Sequence, residues 1–143
     1  MRLFRSFNKY KNNIAIIDKT NFNLSYKQVF SKTEEIQKKI KIRSLILIVA
    51  DNTLGSLIAY IFCILNDHVG IIIDSKTNRK DIFKIFKKYQ PSFIFSSKEK
   101  NFIFKKICSE ELHFFDYSLM KNKKGKKKEL NNNLSLLLST SGS

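Results

Sequence analysis

Residues Leu45–Asp74 read LILIVADNTLGSLIAYIFCILNDHVGIIID. The first run, Leu45–Ala50, is apolar without alternation, the pattern of a strand covered on both faces, as in the parallel sheets of α/β proteins. Asp51, Asn52 and Thr53 then offer side-chain caps, and Leu54–Leu65 is an almost wholly apolar stretch of helical length. Asn66-Asp67-His68 closes that helix, and Val69–Ile73 is a second buried strand ending at Asp74. Strand, buried helix and strand within about 30 residues make a βαβ unit, which the handedness of such crossovers makes right-handed.

The alternation continues on both sides. Downstream, Thr77 or Asn78 caps a helix over Arg79–Tyr89 that turns Ile82, Phe83, Ile85 and Phe86 inward, and Pro91 stops it. Ser92–Phe95 reads as a strand, Lys98–Cys108 as a helix and Leu112–Tyr117 as a strand. Upstream, Asn13–Asp18 and a path resuming at Leu24 form a small hairpin. Ser25 with Gln28 three residues on is a capping box opening a helix with Val29, Phe30, Thr33, Ile36, Gln37 and Ile40 on one face. The expected fold is therefore α/β, with parallel-sheet βαβ layers and flanking helices, over 1–143 as one unit. Residues 121–133, KNKKGKKKELNNN, are nearly devoid of apolar side chains and read as a solvated basic loop; a localisation or polyanion-binding patch is the sharper alternative.

Composition bounds the partners. The chain has 143 residues, 27 Lys and Arg against 12 Asp and Glu, and a net charge of +15. Such a balance suits a phosphate-bearing partner. Arg, the better residue for bidentate contacts to phosphates and bases, occurs only at Arg2, Arg5, Arg43 and Arg79, and the abundance of Lys, Asn, Ile and Phe is what codon bias alone produces. No nucleic-acid partner is expected. Cys63 and Cys108 have no metal spacing and no framework pattern, which fits a reducing compartment. Met1–Tyr10 does not read as a signal peptide. The longest uncharged stretch, Asn52–Asn66, is about 15 residues and falls short of the roughly 20 that span a bilayer. A cytoplasmic protein without a membrane partner is expected.

Chemistry is expected at the end of the chain. Leu134–Leu138 is an apolar strand running into Ser139-Thr140-Ser141-Gly142-Ser143. A buried strand leading into small residues is how a phosphate-binding loop begins, because backbone N–H groups then approach phosphate oxygens and hydroxyls add donors. On its own such a run is more often a flexible tail. In context it resembles the loop Thr-Ser-Gly-Ser-Thr-Gly-x-Pro-Lys of the adenylate-forming (AMP-binding, acyl-CoA synthetase-like) enzymes, of which Leu136–Ser143 is similar to the first half. Upstream landmarks follow the order of that family. Leu24-Ser25-Tyr26-Lys27-Gln28-Val29 resembles its leucine-threonine-tyrosine-x-glutamate-leucine helix start. Leu45–Thr53 resembles its strand ending in an Asn-Ser or Asn-Thr pair, Cys63–Asp74 its helix-to-strand segment, and Tyr89–Phe95 its next strand entry. Departures are Asp67-His68-Val69 where many members have Lys-Ala-Gly, and Gln28-Val29 for Glu-Leu. The loop's Thr-Gly-x-Pro-Lys half is not among these 143 residues.

The resemblance implies an ATP-dependent ligase that activates a carboxylic acid as an acyl-adenylate and passes it to a thiol, from coenzyme A or a carrier protein, or to an amine. Thr140, Ser141, Gly142 and Ser143 would hold the β- and γ-phosphates of ATP, assisted by Mg²⁺. The expectation for these 143 residues is an inactive N-terminal piece. Its catalytic residues and metal ligands are expected outside these 143 residues, and a frameshift, a contig edge or a split ligase whose other half is encoded downstream would each explain the ending. The alternative is a small basic α/β module for an anionic partner. His68 and His113 lack Cys, His or carboxylate partners at ligand spacing and read as a helix-end and a strand residue. Asp74 reads as a loop cap, and Phe102, Phe104, Phe114 and Phe115 as core.

Overall fold

In a computed structural model of the chain, residues 7–19, 22–125 and 128–138 are described. They form an α/β fold with a mixed, mostly parallel six-stranded sheet flanked by helices. A separate two-stranded hairpin pairs β1 (Ile14–Ile17) with β2 (Asn23–Ser25). The large sheet comprises β3 (Leu45–Ala50), β4 (Val69–Asp74), β5 (Phe93–Ser97), β6 (Cys108–Phe114), β7 (Tyr117–Asn122) and β8 (Leu136–Leu138), in the spatial order β6-β7-β5-β3-β4-β8. β5, β3, β4 and β8 are parallel neighbours, while β7 runs antiparallel to β5 and to β6.

β3 is the centre of the molecule. Ile46 and Ile48 point to one face, where they pack with Val29 and Ile36 of α1 (Tyr26–Gln37) and Ile58 and Phe62 of α2 (Leu54–Leu65). Leu45, Leu47 and Val49 point to the other face, against Ile82 and Phe86 of α3 (Arg79–Tyr89) and Phe104. The unalternating run is thus a strand with side chains of period 2 and an apolar layer on either side. α1, α2 and α3 begin at the caps their sequence predicts. The Ser25 backbone N–H donates to Gln28 Oε1 at 2.8 Å and the Gln28 N–H to Ser25 Oγ at 3.3 Å, completing the capping box. Thr53 and Asn78 cap α2 and α3, and Gln90 ends α3 in the left-handed region before Pro91. Ile40 is buried just beyond α1, which is one turn shorter than its apolar face.

Two expectations fail between Lys98 and Asn122. Lys98–Cys108 is not an α-helix: it holds only a short 3₁₀ turn at Asn101–Ile103. The reason is Asn101, which is buried and accepts from Ser96 Oγ at 2.6 Å while donating to Ser118 Oγ at 2.9 Å, so that the segment is pinned to β5 and β7. The single strand expected over Leu112–Tyr117 is the junction of two, β6 and β7, reversing at Phe115-Asp116 with Phe115 at φ 52°. Tight hairpins of this kind favour Asn-Gly at the turn, and Phe-Asp carries no such mark. The sheet is therefore mixed: the expected parallel βαβ layers are present, with antiparallel β6 and β7 added at one edge. The basic loop also starts later than 121, because Lys121 and Asn122 belong to β7 and the Asn122 amide donates to the Pro91 carbonyl at 2.9 Å.

Arg43 fastens β8 in place. Its guanidinium donates to four backbone carbonyls: Asp67 at 2.9 Å, Leu130 at 2.9 Å, Asn131 at 3.1 Å and Leu134 at 2.6 Å. The planar fork is what allows one side chain to gather carbonyls from two separate loops. Arg43→Ala is expected to destabilise the fold by about 2–3 kcal/mol in urea denaturation and to remove hydrogen-exchange protection from β8 first; Arg43→Lys should restore under half of that, since an ammonium lacks the fork. A loss below about 0.5 kcal/mol, the range of an ordinary surface change, would refute the clamp.

Candidate functional site

Because β3, β4 and β8 are parallel, their carboxyl ends meet at one edge of the sheet. The chain leaves β3 for β4 on one side and returns from β4 to β5 on the other. Open α/β sheets bind ligands outside the carboxyl ends of their strands. A cavity of about 650 Å³ lies at this edge. Ile16 and Ile17 of the hairpin, Ala50, Leu54 and Leu57, and Leu136 and Leu138 are in its apolar wall; its polar members are Asp18, Lys19, Asp51, Asn52, Thr53, Ser56 and Tyr60.

The turn from β3 into α2 is tightly held. The Asp51 N–H donates to Ser56 Oγ at 3.1 Å, and the Asn52 N–H to Asp51 Oδ1 at 2.8 Å. Asp116, from the β6–β7 turn, accepts from the Gly55 N–H at 3.1 Å and so places a carboxylate at the positive end of α2. Gly55 is required there: a Cβ would lie 2.6 Å from Asp116 Oδ1 and 2.7 Å from the Tyr117 ring. Tyr117 is fully buried and donates from its hydroxyl to the Val49 carbonyl at 2.6 Å, which ties the same turn to the centre of the sheet. The start of α2 is therefore already supplied with an anion. Among the described lining residues the carboxylates of Asp18 and Asp51 face one cation, Lys19. This part of the cavity offers a wall and hydroxyls, and anion binding at this edge would fall to the segment that follows β8.

That segment includes Thr140, Ser141, Gly142 and Ser143, which lie outside the described residues, as do residues 1–6 of the amino-terminal stretch and 126–127 of the basic loop. The other residues singled out in the sequence are placed as follows. Asp74 caps its loop, accepting from the Lys76 N–H at 2.7 Å. Phe104 and Phe114 are core, whereas Phe102 and Phe115 are 51% and 37% exposed, contrary to the core reading, with Arg79 over one ring and Lys32 over the other. Cys63 and Cys108 are free, buried thiols, and burial pushes the Cys108 thiol up to about 11. Both are inert by this criterion.

The histidines do have partners, which spacing could not disclose. His68 is buried: Nδ1 accepts from the Ser44 N–H at 3.2 Å, and Nε2 lies 3.1 Å from Gln37 Oε1, so the ring is the neutral Nε2–H tautomer. Burial, opposed by Asp67 and reinforced by Arg43, pushes it down to about 4. His113 pairs with Glu110 through Nε2, and its Nδ1 lies 2.8 Å from Ser118 Oγ. A bulge at Glu111 brings the i and i+3 side chains of β6 to one side. The order carboxylate, imidazole, hydroxyl is that of a hydrolase triad, but Ser118 is 0% exposed and also accepts from Asn101, so no substrate reaches it. The chain of hydrogen bonds is structural.

Among the described residues no group of three or more His, Cys, Asp or Glu side chains is placed to hold a metal ion, and no helix is long and apolar enough to cross a membrane. Compared with known protein families and with curated proteins, the chain matches none.

His68 gives the fold a pH signature. The folded protein keeps the ring neutral down to about 4, while the unfolded chain protonates it near 6.5. The unfolded state therefore binds the proton first as pH falls, and stability drops between those values by about 3 kcal/mol. Denaturant titrations at a series of pH values should show this loss in the wild type and a flatter profile in His68→Gln. Equal slopes would show that His68 is not its source.

Proposed function

We propose that the chain forms the N-terminal part of an adenylate-forming ligase domain acting in the cytoplasm on a carboxylic acid. In that reaction a carboxylate oxygen bonds to the α-phosphorus of ATP as the bond to pyrophosphate breaks, and the thiol sulfur of coenzyme A or a carrier protein then bonds to the acyl carbon as its bond to AMP breaks and AMP leaves. The observation that carries the reading is the direction of β8. It runs parallel to β4, so the strand that precedes Thr140–Ser143 in sequence points at the edge where the cavity lies. The sequence landmarks in family order, from the Ser25 capping box to this strand, support it further.

The donor set suits phosphate. Thr140, Ser141 and Ser143 bring hydroxyls and Gly142 brings no side chain, whereas the described lining residues bring two carboxylates and one lysine. When bound, ATP supplies the electrophilic phosphorus and Mg²⁺ neutralises the phosphate charge. The part played by this chain's described residues is to wall the cavity: Leu54, Leu57, Leu136 and Leu138 give it apolar sides, and Asp116 with Tyr117 holds the β3–α2 turn. The reading of a basic α/β module for an anionic partner has an observation of its own, a cationic groove beside α3 lined by Arg79, Lys80 and Lys106.

Reading the coding sequence past Ser143 in all three frames tests the ligase proposal: Thr-Gly-x-Pro-Lys immediately downstream is expected, and a stop followed by an unrelated gene would overturn it. For the 143 residues by themselves, isothermal calorimetry should find no micromolar affinity for Mg·ATP, because half the loop leaves half the phosphate contacts unmade. Micromolar binding would contradict that.

A further inference from the structure

On the face of the sheet opposite α1 and α2, a second cavity of about 480 Å³ lies between the first turns of α3 and the segment after β5. Its volume is that of small-molecule sites, which run to about 300–1,000 Å³. Phe83, Phe102 and Ile103 form an apolar floor, with Phe102 51% exposed. Arg79, Lys80 and Lys106 form the rim, and the lining includes no carboxylate.

The charges are arranged against the fold's own interest. Arg79 and Lys80 are the first two residues of α3, where the helix dipole favours anions and opposes cations. The acid of that turn, Asp81, is engaged by Lys84 at 2.9 Å and by Asn78, and acts on Lys80 only at longer range. Among the described residues no ion pair involves Arg79, Lys80 or Lys106. The Arg79 guanidinium already sits 5.2 Å from the centre of the Phe102 ring, so cation and aromatic surface are assembled before any ligand arrives.

We propose that this groove binds a monomeric amphiphilic phosphate, a phosphate monoester with an aryl or alkyl body. The three cations match a dianionic head better than a monocarboxylate, and Arg79 supplies the fork for two of its oxygens. The apolar body lies on Phe102 and Phe83. A recessed floor of this volume takes one such molecule; a membrane would meet the cations but not fill the cavity. The site stands independently of the ligase proposal, since it is on another face and shares no lining residue with the first cavity.

Titration of the ¹⁵N-labelled chain with 1-naphthyl phosphate, followed by backbone NMR shifts, tests it. Saturable binding is expected, with shifts centred on 79–83 and 102–107. Naphthol and inorganic phosphate, each half of the ligand, should bind about tenfold or more weakly, and the double variant Arg79→Gln/Lys106→Gln should lose about tenfold in affinity, as should Phe102→Ser. Lys19→Gln, at the other cavity, should leave affinity unchanged. Shifts centred on 51–57, equal binding of inorganic phosphate, unchanged affinity in both groove variants, or binding only to phosphatidic acid vesicles would each overturn the proposal.

Discussion

β3 has no solvent face. Both its edges are occupied by parallel neighbours, and both its faces by apolar layers built from different helices. Each of Ile46, Leu47, Ile48 and Val49 is at most 1% exposed, and burying one such side chain contributes about 1.5–3 kcal/mol. No polar residue fits anywhere along it without an unpaired group in the core. The rest follows from that saturation. With β4 on one side and β5 on the other, the chain must cross both faces, and the carboxyl ends of β3 and β4 are left facing outward together.

That edge is shaped by contacts distant in sequence. Asp116 and Tyr117, at the tip of a hairpin on the far side of the sheet, hold the β3–α2 turn from one side. Arg43, at the entry to β3, draws in the loop before β8 from the other. The result is a cavity whose walls are set by the core and whose described charges do not favour an anion. A phosphate site there would depend on the segment beyond β8, whereas the cationic groove by α3 carries its charges within the described fold.

The sequence disclosed the elements governed by local rules. The unbroken apolar runs of β3 and β4, the Ser25–Gln28 capping box, the apolar α2 and the bounds of α3 all follow from periodicity and capping. What was illegible depends on long-range partners. Asn101 is drawn out of a helical pattern by Ser96 and Ser118, and the β6–β7 turn uses Phe115 where glycine would have announced it. Arg43 is an unremarkable basic residue until four carbonyls converge on it. Glu110 meets His113 only through a bulge. Of the sites, the loop of small residues was readable as a motif, while the groove by α3 was hidden because Phe102 has the pattern of a core residue and is half exposed.

The functional account turns on β8, a three-residue strand at the sheet's edge that runs parallel to β4, toward the carboxyl edge where the cavity lies. Backbone NOEs between β4 and β8 measure this directly. Parallel pairing, with Ile71 opposite Leu137 and Ile72 opposite Leu138, is the expected result. Antiparallel contacts, or none between Gly70–Ile72 and Leu136–Leu138, would turn the segment away from the carboxyl edge and contradict the account.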